Sequence, residues 1–222
     1  MRGVFVTGTD TGVGKSVLAA VICAGLAAAG ERVAAFKPVV TGLDDPPGEF
    51  PPDHELLASV TGQRPQEVAP LRFGPAVSPH LAAELSGVAI EPAALVAAAH
   101  AAARGADSFV CEGVGGLLVP LAPGYVVRDL AVDLGLPVVI AARPGLGTIN
   151  HSLLAIEAAR GAALDVRAVV LTPWPGDPSA MERSNRETIA ALGSVEVATL
   201  GVTSTTAFRD AGSALPVSAW IS

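Results

Sequence analysis

Residues 4–16 read Val-Phe-Val-Thr-Gly-Thr-Asp-Thr-Gly-Val-Gly-Lys-Ser. The apolar run before the glycines predicts a strand, and the alanine-rich run after them predicts a helix from about Lys15 to Ala29. Glycines spaced this closely let successive backbone N–H groups surround phosphate oxygens. Lys15, expected at the surface of this polar loop, can reach the outer phosphates, and the Ser16 hydroxyl can bind Mg²⁺. The stretch therefore predicts a phosphate-binding loop and a nucleotide site.

The glycine spacing of this loop is unusual. Five residues separate Gly8 from Gly14, which is one more than in the common pattern. The strand–loop–helix context still favours a nucleotide site over a structural turn, because the helix would direct the positive end of its dipole at a bound anion.

The composition predicts a single domain over residues 1–222. The chain is 50% hydrophobic and only 4% aromatic, which is typical of helices packed on a sheet through small side chains. A net charge of −7 and a pI near 5.0 disfavour nucleic acid and anionic membranes as partners. Cys23 and Cys111 form no CxxC pair, which favours reduced core thiols in a cytoplasmic protein. The most apolar helical run, Val17–Ala29, is shorter than the ~18 residues that cross a bilayer.

Strand-like and helix-like runs alternate along the chain. This alternation predicts a doubly wound, mostly parallel α/β sheet of the P-loop NTPase fold, with ligands at the carboxyl ends of the strands. The expected strands are Gly3–Thr7, Arg32–Lys37, Ser108–Glu112, Val138–Ala142, Arg167–Thr172 and Val195–Leu200. The expected helices cover residues 15–29, 53–61, 91–104, 126–134, 148–163 and 178–192.

Polar residues at the predicted strand ends are candidates for the site. Lys37 ends the second strand, where it would enter the crevice beside the phosphate loop or lie in solvent as an ordinary strand-end lysine. Glu112 ends the third strand, which is where P-loop enzymes place the acidic residue that meets Mg²⁺; its alternative is a capping or turn carboxylate. Asp53 begins a helix, and its default role is that of an N-cap. Thr41 follows Lys37 closely enough to contact a small substrate.

Taken together, these motifs resemble the dethiobiotin synthetase family. The resemblance rests on residues 5–16, with their unusual glycine spacing, and on four later segments: residues 37–39, 78–80, 112–116 and 146–151. It implies an ATP- and Mg²⁺-dependent ligase that forms dethiobiotin from 7,8-diaminononanoate and CO₂ in biotin biosynthesis. It also implies a homodimer with the substrate site at the subunit interface.

The resemblance implies a role for each matching residue. The metal ligands would be Ser16, Asp53 and Glu112, and the catalytic lysines would be Lys37 and Lys15. Nucleotide contacts would further involve Gly12, Val13, Gly14, Val17, Gly113, Val114, Gly115, Thr172, Pro173, Val202, Thr203 and Ser204. The substrate would be held by Thr41 and, for its carboxylate tail, by Leu146, Gly147, Thr148 and Asn150, with Asn185 near them.

Four departures from the family pattern affect the nucleotide site, two of which are Ser16, where Thr is common, and Val202-Thr203-Ser204, where a bulkier Pro-Trp type segment is found. Gly12 stands where some relatives have an acidic residue, and Thr172-Pro173-Trp174 stands where Asn-Asp often reads adenine. This last departure predicts loose base selectivity. Partition and septum-site switch ATPases of the same P-loop lineage remain an alternative; they usually carry a second lysine early in the loop, where this chain has Thr9-Asp10-Thr11.

Overall fold

The central sheet contains the six predicted strands. A computed structural model describes residues 1–46 and 48–221. Its strands are β1 (Gly3–Gly8), β2 (Val33–Phe36), β3 (Val39–Val40), β4 (Leu71–Arg72), β5 (Ser108–Gly116), β6 (Pro120–Ala122), β7 (Tyr125–Val126), β8 (Val138–Ala142), β9 (Val166–Trp174) and β10 (Glu196–Gly201). Six of them form a parallel sheet in the order β10-β9-β8-β1-β5-β2. The short pairs β3–β4 and β6–β7 were not predicted, because two or three residues show no period.

Helices connect and cover the strands. They are α1 (Lys15–Ala28), α2 (Asp53–Thr61), α3 (Pro65–Val68), α4 (Pro79–Leu85), α5 (Pro92–Ala102), α6 (Val127–Leu134), α7 (Thr148–Arg160), α8 (Ala180–Gly193), α9 (Phe208–Ala214) and α10 (Val217–Trp220). The six predicted helices are present within a few residues. The other four have seven residues or fewer and were missed because they span too few turns to show an apolar face.

Side chains of β1 alternate between two hydrophobic cores. Val4 and Val6 pack on the side of α1, whereas Phe5 packs on the opposite side, with α5, α6 and α7. Because both faces are covered, the central strands are apolar at nearly every position, as expected for a parallel sheet. The doubly wound α/β prediction is thereby confirmed.

The strand order places several loops at one edge of the sheet. β1 lies between β5 and β8, and β9 follows β8. The segments after these parallel strands therefore meet at the carboxyl edge, where this fold binds ligands. Within residues 1–46 and 48–221, no helix is both long and apolar enough to cross a membrane.

Candidate active site

A cavity of about 680 Å³ opens at the carboxyl edge of the sheet. The phosphate loop forms one wall, and residues around Lys37 and Asp53 form another. Among the predicted site residues, those lining the cavity are Gly12, Gly14, Lys15, Ser16, Val17, Lys37, Thr41, Asp53, Val114 and Gly115. The structure therefore brings most of the expected phosphate and metal residues to one place, together with Thr41 of the expected substrate residues.

Lys37 is the centre of a buried polar network. Its Nζ atom lies 2.8 Å from Asp53 Oδ2 and 2.6 Å from Glu112 Oε1, and it also donates to the Gly113 carbonyl at 3.2 Å. The residue is only 3% exposed. All three ammonium protons thus have acceptors, and the solvated strand-end reading of Lys37 is wrong. The strand ends one residue earlier, at Phe36.

Neither Asp53 nor Glu112 has the structural role that was the alternative to metal binding. Asp53 is the first residue of α2, with Pro52 as the N-cap residue, so the N-cap expectation is wrong. Glu112 lies inside β5, which continues to Gly116, and it is fully buried. It is therefore neither a cap nor a turn residue.

The charges of this network shift one another's pKa values. Burial opposes the charge on Lys37, but Asp53 and Glu112 outweigh it and raise the Lys37 pKa above its usual value. Burial likewise opposes ionisation of Asp53, yet the Lys37 ammonium holds the pKa of this carboxyl below its usual range. For Glu112, burial raises the pKa and Lys37 opposes the rise. Lys37 is therefore a charged group held in place by the carboxylates.

The residues around Ser16 fit a hard divalent cation. Ser16 donates its hydroxyl proton to Glu112 Oε1 at 2.8 Å. The second oxygen of Glu112, Oε2, is buried and has no hydrogen-bond partner in the described part of the chain. Hydroxyl and carboxylate oxygens are the ligands that Mg²⁺ prefers, together with water and phosphate oxygens. The expected ligands Ser16, Asp53 and Glu112 therefore lie together.

Lys15 is enclosed by the loop that precedes it. Its Nζ donates to the Asp10 carbonyl at 2.8 Å, and the residue is 6% exposed, which corrects the expectation of a surface lysine. Burial, followed by repulsion from Lys37, lowers the Lys15 pKa to about 8. Gly14 has a φ of +90°, and a Cβ there would lie 2.9 Å from Thr172 Cγ2, so any side chain would strain this turn.

The residues expected to contact the base lie outside this cavity. Thr172 and Pro173 lie near the end of β9, and Val202, Thr203 and Ser204 follow β10. Gly201 pairs with Trp174, so the two segments lie side by side. The Thr203 hydroxyl is buried and has no partner among residues 1–46 and 48–221. A hydroxyl can donate or accept, so it offers little discrimination between bases.

The segment expected to hold the substrate tail also lies outside the cavity of its own chain. Gly147 precedes α7, and Thr148 and Asn150 lie in its first turn. Leu146 is 93% exposed, and Asn150 is exposed as well. Thr148 is buried, and its hydroxyl lies 3.5 Å from the Ser152 hydroxyl.

An apolar wall of the cavity was missed from the sequence. It consists of Phe50, Pro51, Leu56, Ala76, Val77, Pro79, Val39 and Val119, with Ser78 beside them. Ser78 and Pro79 belong to a segment that supports the family resemblance, which was a usable signal. Phe50 and Pro51 belong to the proline-rich stretch 44–52, which the sequence predicts as a loop near the site, but its sequence has no period that shows which way these side chains face.

Known proteins similar to this chain indicate its family. The family described as an AAA domain matches residues 2–202. The chain is 40% identical to the ATP-dependent dethiobiotin synthetase BioD of Anaeromyxobacter sp. (strain Fw109-5), over 88% of this chain and 91% of that protein. Identity to the enzyme of the same name from Bacillus subtilis (strain 168) is 33%, over 91% of this chain and 87% of that protein.

A solved structure shares the fold. A chain of the MinC:MinD cell division protein complex of Aquifex aeolicus has a TM-score of 0.57 with this protein and covers 96% of it, and 86% of that chain is covered in turn. Their identity is 14%, so this likeness shows the fold alone. The sequence relatives are far more similar and align over most of both lengths. The chain therefore belongs to the family of ATP-dependent dethiobiotin synthetases.

Proposed function

We propose that this ligase closes the cyclic urea of dethiobiotin from 7,8-diaminononanoate, CO₂ and ATP. One amine nitrogen bonds to the carbon of CO₂ and loses a proton, which gives a carbamate. A carbamate oxygen then bonds to the γ-phosphorus of ATP while the bond to ADP breaks. The second amine nitrogen bonds to the carbonyl carbon and loses a proton, the C–O bond to the phosphate group breaks, inorganic phosphate leaves, and the ring is closed.

The network around Lys37 is the observation that supports this reaction best. Carbamate and triphosphate are both anionic, so bringing them together requires fixed positive charge where they meet. The chain contains two lysines, Lys15 and Lys37, and both line the cavity. Lys37, held by Asp53 and Glu112, acts as a fixed cation toward the carbamate and the transferring phosphoryl group. Lys15 serves the phosphates.

A metal ion would complete the charge balance. Mg²⁺, when bound, would neutralise phosphate charge in a reaction of this class. Ser16, Asp53 and Glu112 would hold it, and the unpaired Oε2 of Glu112 supports this role. The apolar wall around Val77 and Pro79 suits the hydrocarbon chain of the diamine, and it would exclude water from the activated carbamate.

The test is to measure ADP release by the purified protein with ATP, Mg²⁺, 7,8-diaminononanoate and bicarbonate, and to identify the product by mass spectrometry. We expect ADP release to require both the diamine and bicarbonate, with dethiobiotin formed in equal amount. A partition-type switch ATPase would release ADP without either compound. That result would overturn the proposal.

The Asn150→Ala variant is expected to weaken binding of the diamine more than binding of ATP. We infer that the start of α7 receives the substrate carboxylate of a partner subunit, because a helix N-terminus stabilises an anion and this segment lies outside its own cavity. The measurement is KM for each substrate. Glu157→Gln, farther along the same helix and exposed, is the matched control.

Hybrid dimers test whether the site is shared between subunits. A Lys37→Gln subunit and an Asn150→Ala subunit would together contain one intact site if the tail crosses the interface. We expect partial recovery of activity on mixing the two variants. No recovery in verified heterodimers would mean that each site is built from one chain.

GTP and CTP are expected to support turnover within about tenfold of ATP, a gap of ~1.4 kcal/mol or less. Base discrimination needs donors and acceptors matched to one ring edge. The Thr172–Trp174 segment offers few, since Pro173 has no N–H and Trp174 stacks on any base. The measurement is kcat/KM for the four nucleotides at saturating diamine and bicarbonate. An ATP preference above about a hundredfold would show that other groups here read adenine.

A further inference from the structure

Residues 143–147 form a loop, here called the connecting loop, between β8 and α7. β8 lies between β1, which carries the phosphate loop, and β9. The connecting loop therefore begins beside the phosphate loop and ends at the start of α7, which is the expected binding site for the substrate tail. Asn185 of α8 binds the middle of this loop, and Arg143, its first residue, contacts the phosphate loop.

Asn185 of α8 holds the middle of the connecting loop. Its Nδ2 atom donates to the Pro144 carbonyl at 2.9 Å and to the Gly145 carbonyl at 3.3 Å. The Gly145 carbonyl also accepts from the Thr148 amide at 3.2 Å, so Asn185 shares an acceptor with the first residue of α7. Asn185 is 6% exposed, and both amide protons are used within its own chain. It therefore positions the loop rather than binding the substrate carboxylate itself.

Arg143, the first residue of the connecting loop, joins it to the phosphate loop. Its Nη2 atom donates to the Gly12 carbonyl at 3.1 Å. Gly12 has a φ of +70°, and a Cβ at this position would lie 3.2 Å from Nη2 of Arg143. A side chain at position 12 would therefore crowd the guanidinium. The Arg143 side chain is exposed. Its guanidinium has five N–H donors, and one of them makes the bond to Gly12.

These contacts form one continuous path. It runs from the phosphate loop through Arg143 and the backbone of residues 144 and 145 to Asn185 and the first turn of α7. We infer that Asn185 is a positioning residue for the nucleotide site, and that it acts there through Arg143. Only the role of α7 in binding the substrate tail rests on the proposed function. The path from Asn185 to the phosphate loop is given by the hydrogen bonds themselves.

The test is a double-mutant cycle on nucleotide binding, with Mg²⁺–ADP as the probe and calorimetry as the measurement. We expect Arg143→Ala and Asn185→Ala each to weaken ADP binding about threefold to tenfold, the effect of one or two lost hydrogen bonds. The ADP affinity of the double variant should be no lower than that of the single variant with the lower affinity, because both changes break the same path. Arg143→Lys, which keeps a donor, should restore part of the affinity.

Two exposed residues provide matched controls. Ser184→Ala lies next to Asn185 on α8, and Arg104→Ala removes an arginine near the opposite edge of the sheet; neither should change ADP affinity. Thermal unfolding of each variant separates loss of folding from loss of positioning. If Asn185→Ala lowers the melting temperature but leaves the ADP affinity unchanged, or if the two effects multiply in the double variant, the inference is wrong.

Steady-state kinetics separates this inference from the proposed function. We expect Asn185→Ala to raise KM for both ATP and the diamine, whereas Arg143→Ala raises KM for ATP with a smaller change in kcat. ADP binding needs no diamine, so the cycle remains informative if wild-type protein makes no dethiobiotin. If the wild-type protein makes dethiobiotin but both variants bind ADP with unchanged affinity, the inference is wrong and the proposed function is unaffected.

Discussion

Lys15→Ala is expected to abolish nucleotide turnover, with a loss of about 10³-fold or more in kcat/KM for ATP. Lys15 is one of two lysines at the cavity, and its ammonium is placed in the loop that would surround the phosphates. No other cation of the described loop residues 8–16 can replace it. The measurement is ADP release at saturating diamine and bicarbonate.

The fold should survive this substitution. Burial and Lys37 lower the Lys15 pKa to about 8, which means that the folded protein disfavours the ammonium. A neutral residue therefore creates no unpaired charge, and the melting temperature should change little. Arg104→Ala, which removes an exposed charge far from the cavity, is the control. Normal activity in folded Lys15→Ala protein would refute the phosphate-loop assignment.

Lys37→Gln is expected to lower kcat for dethiobiotin formation by ~10²-fold or more while most of the ATP affinity remains. The amide keeps hydrogen-bond donors toward Asp53 and Glu112 but removes the charge that we propose stabilises the carbamate and the transferring phosphate. The measurement is kcat and KM for ATP and for the diamine, with direct ATP binding. A change confined to KM for the nucleotide would make Lys37 a binding residue.

Stability must be measured together with this effect. Lys37 is buried between two carboxylates, and removing one partner of such a group typically costs about 3–5 kcal/mol. We therefore expect a lower melting temperature for Lys37→Gln, partly recovered with Mg²⁺. Lys37→Arg keeps the charge and serves as the comparison. An activity loss that disappears under conditions where Lys37→Gln is fully folded would contradict the catalytic role.

The fold was largely predictable because its signals are local. Each central strand is a continuous apolar run, and each long helix spans several turns, so both periods are visible without knowing the neighbours. Short elements such as β3 and α10 lack this redundancy. Val39 of β3 and Trp220 of α10 are buried in the hydrophobic cores on the sheet, and no short sequence pattern predicts that packing.

The sequence predicted many of the residues that form the candidate site, but it predicted much less about how they contact one another. The residues of the phosphate loop are adjacent in the sequence, so they can be recognised together as one motif. Lys37 and Glu112 are 75 positions apart, and Ser16 and Glu112 are 96 apart. Lys15 was expected at the surface, and Lys37 was expected either in the crevice or in solvent, whereas the structure buries both. The roles proposed for them remain predictions until the variants are measured.

The sequence by itself determined the sheet, the phosphate loop and the family, because these depend on residues adjacent along the chain or on motifs in a specific order. Tertiary structure alone decided that Lys37 bonds Asp53 and Glu112, that Phe50 and Val77 line the cavity, and that Arg143 reaches Gly12 across 131 positions. Such contacts depend on strand order and on the packing of loops at the carboxyl edge. Local pattern carries no information about either, because many strand orders satisfy the same alternation of helices and strands.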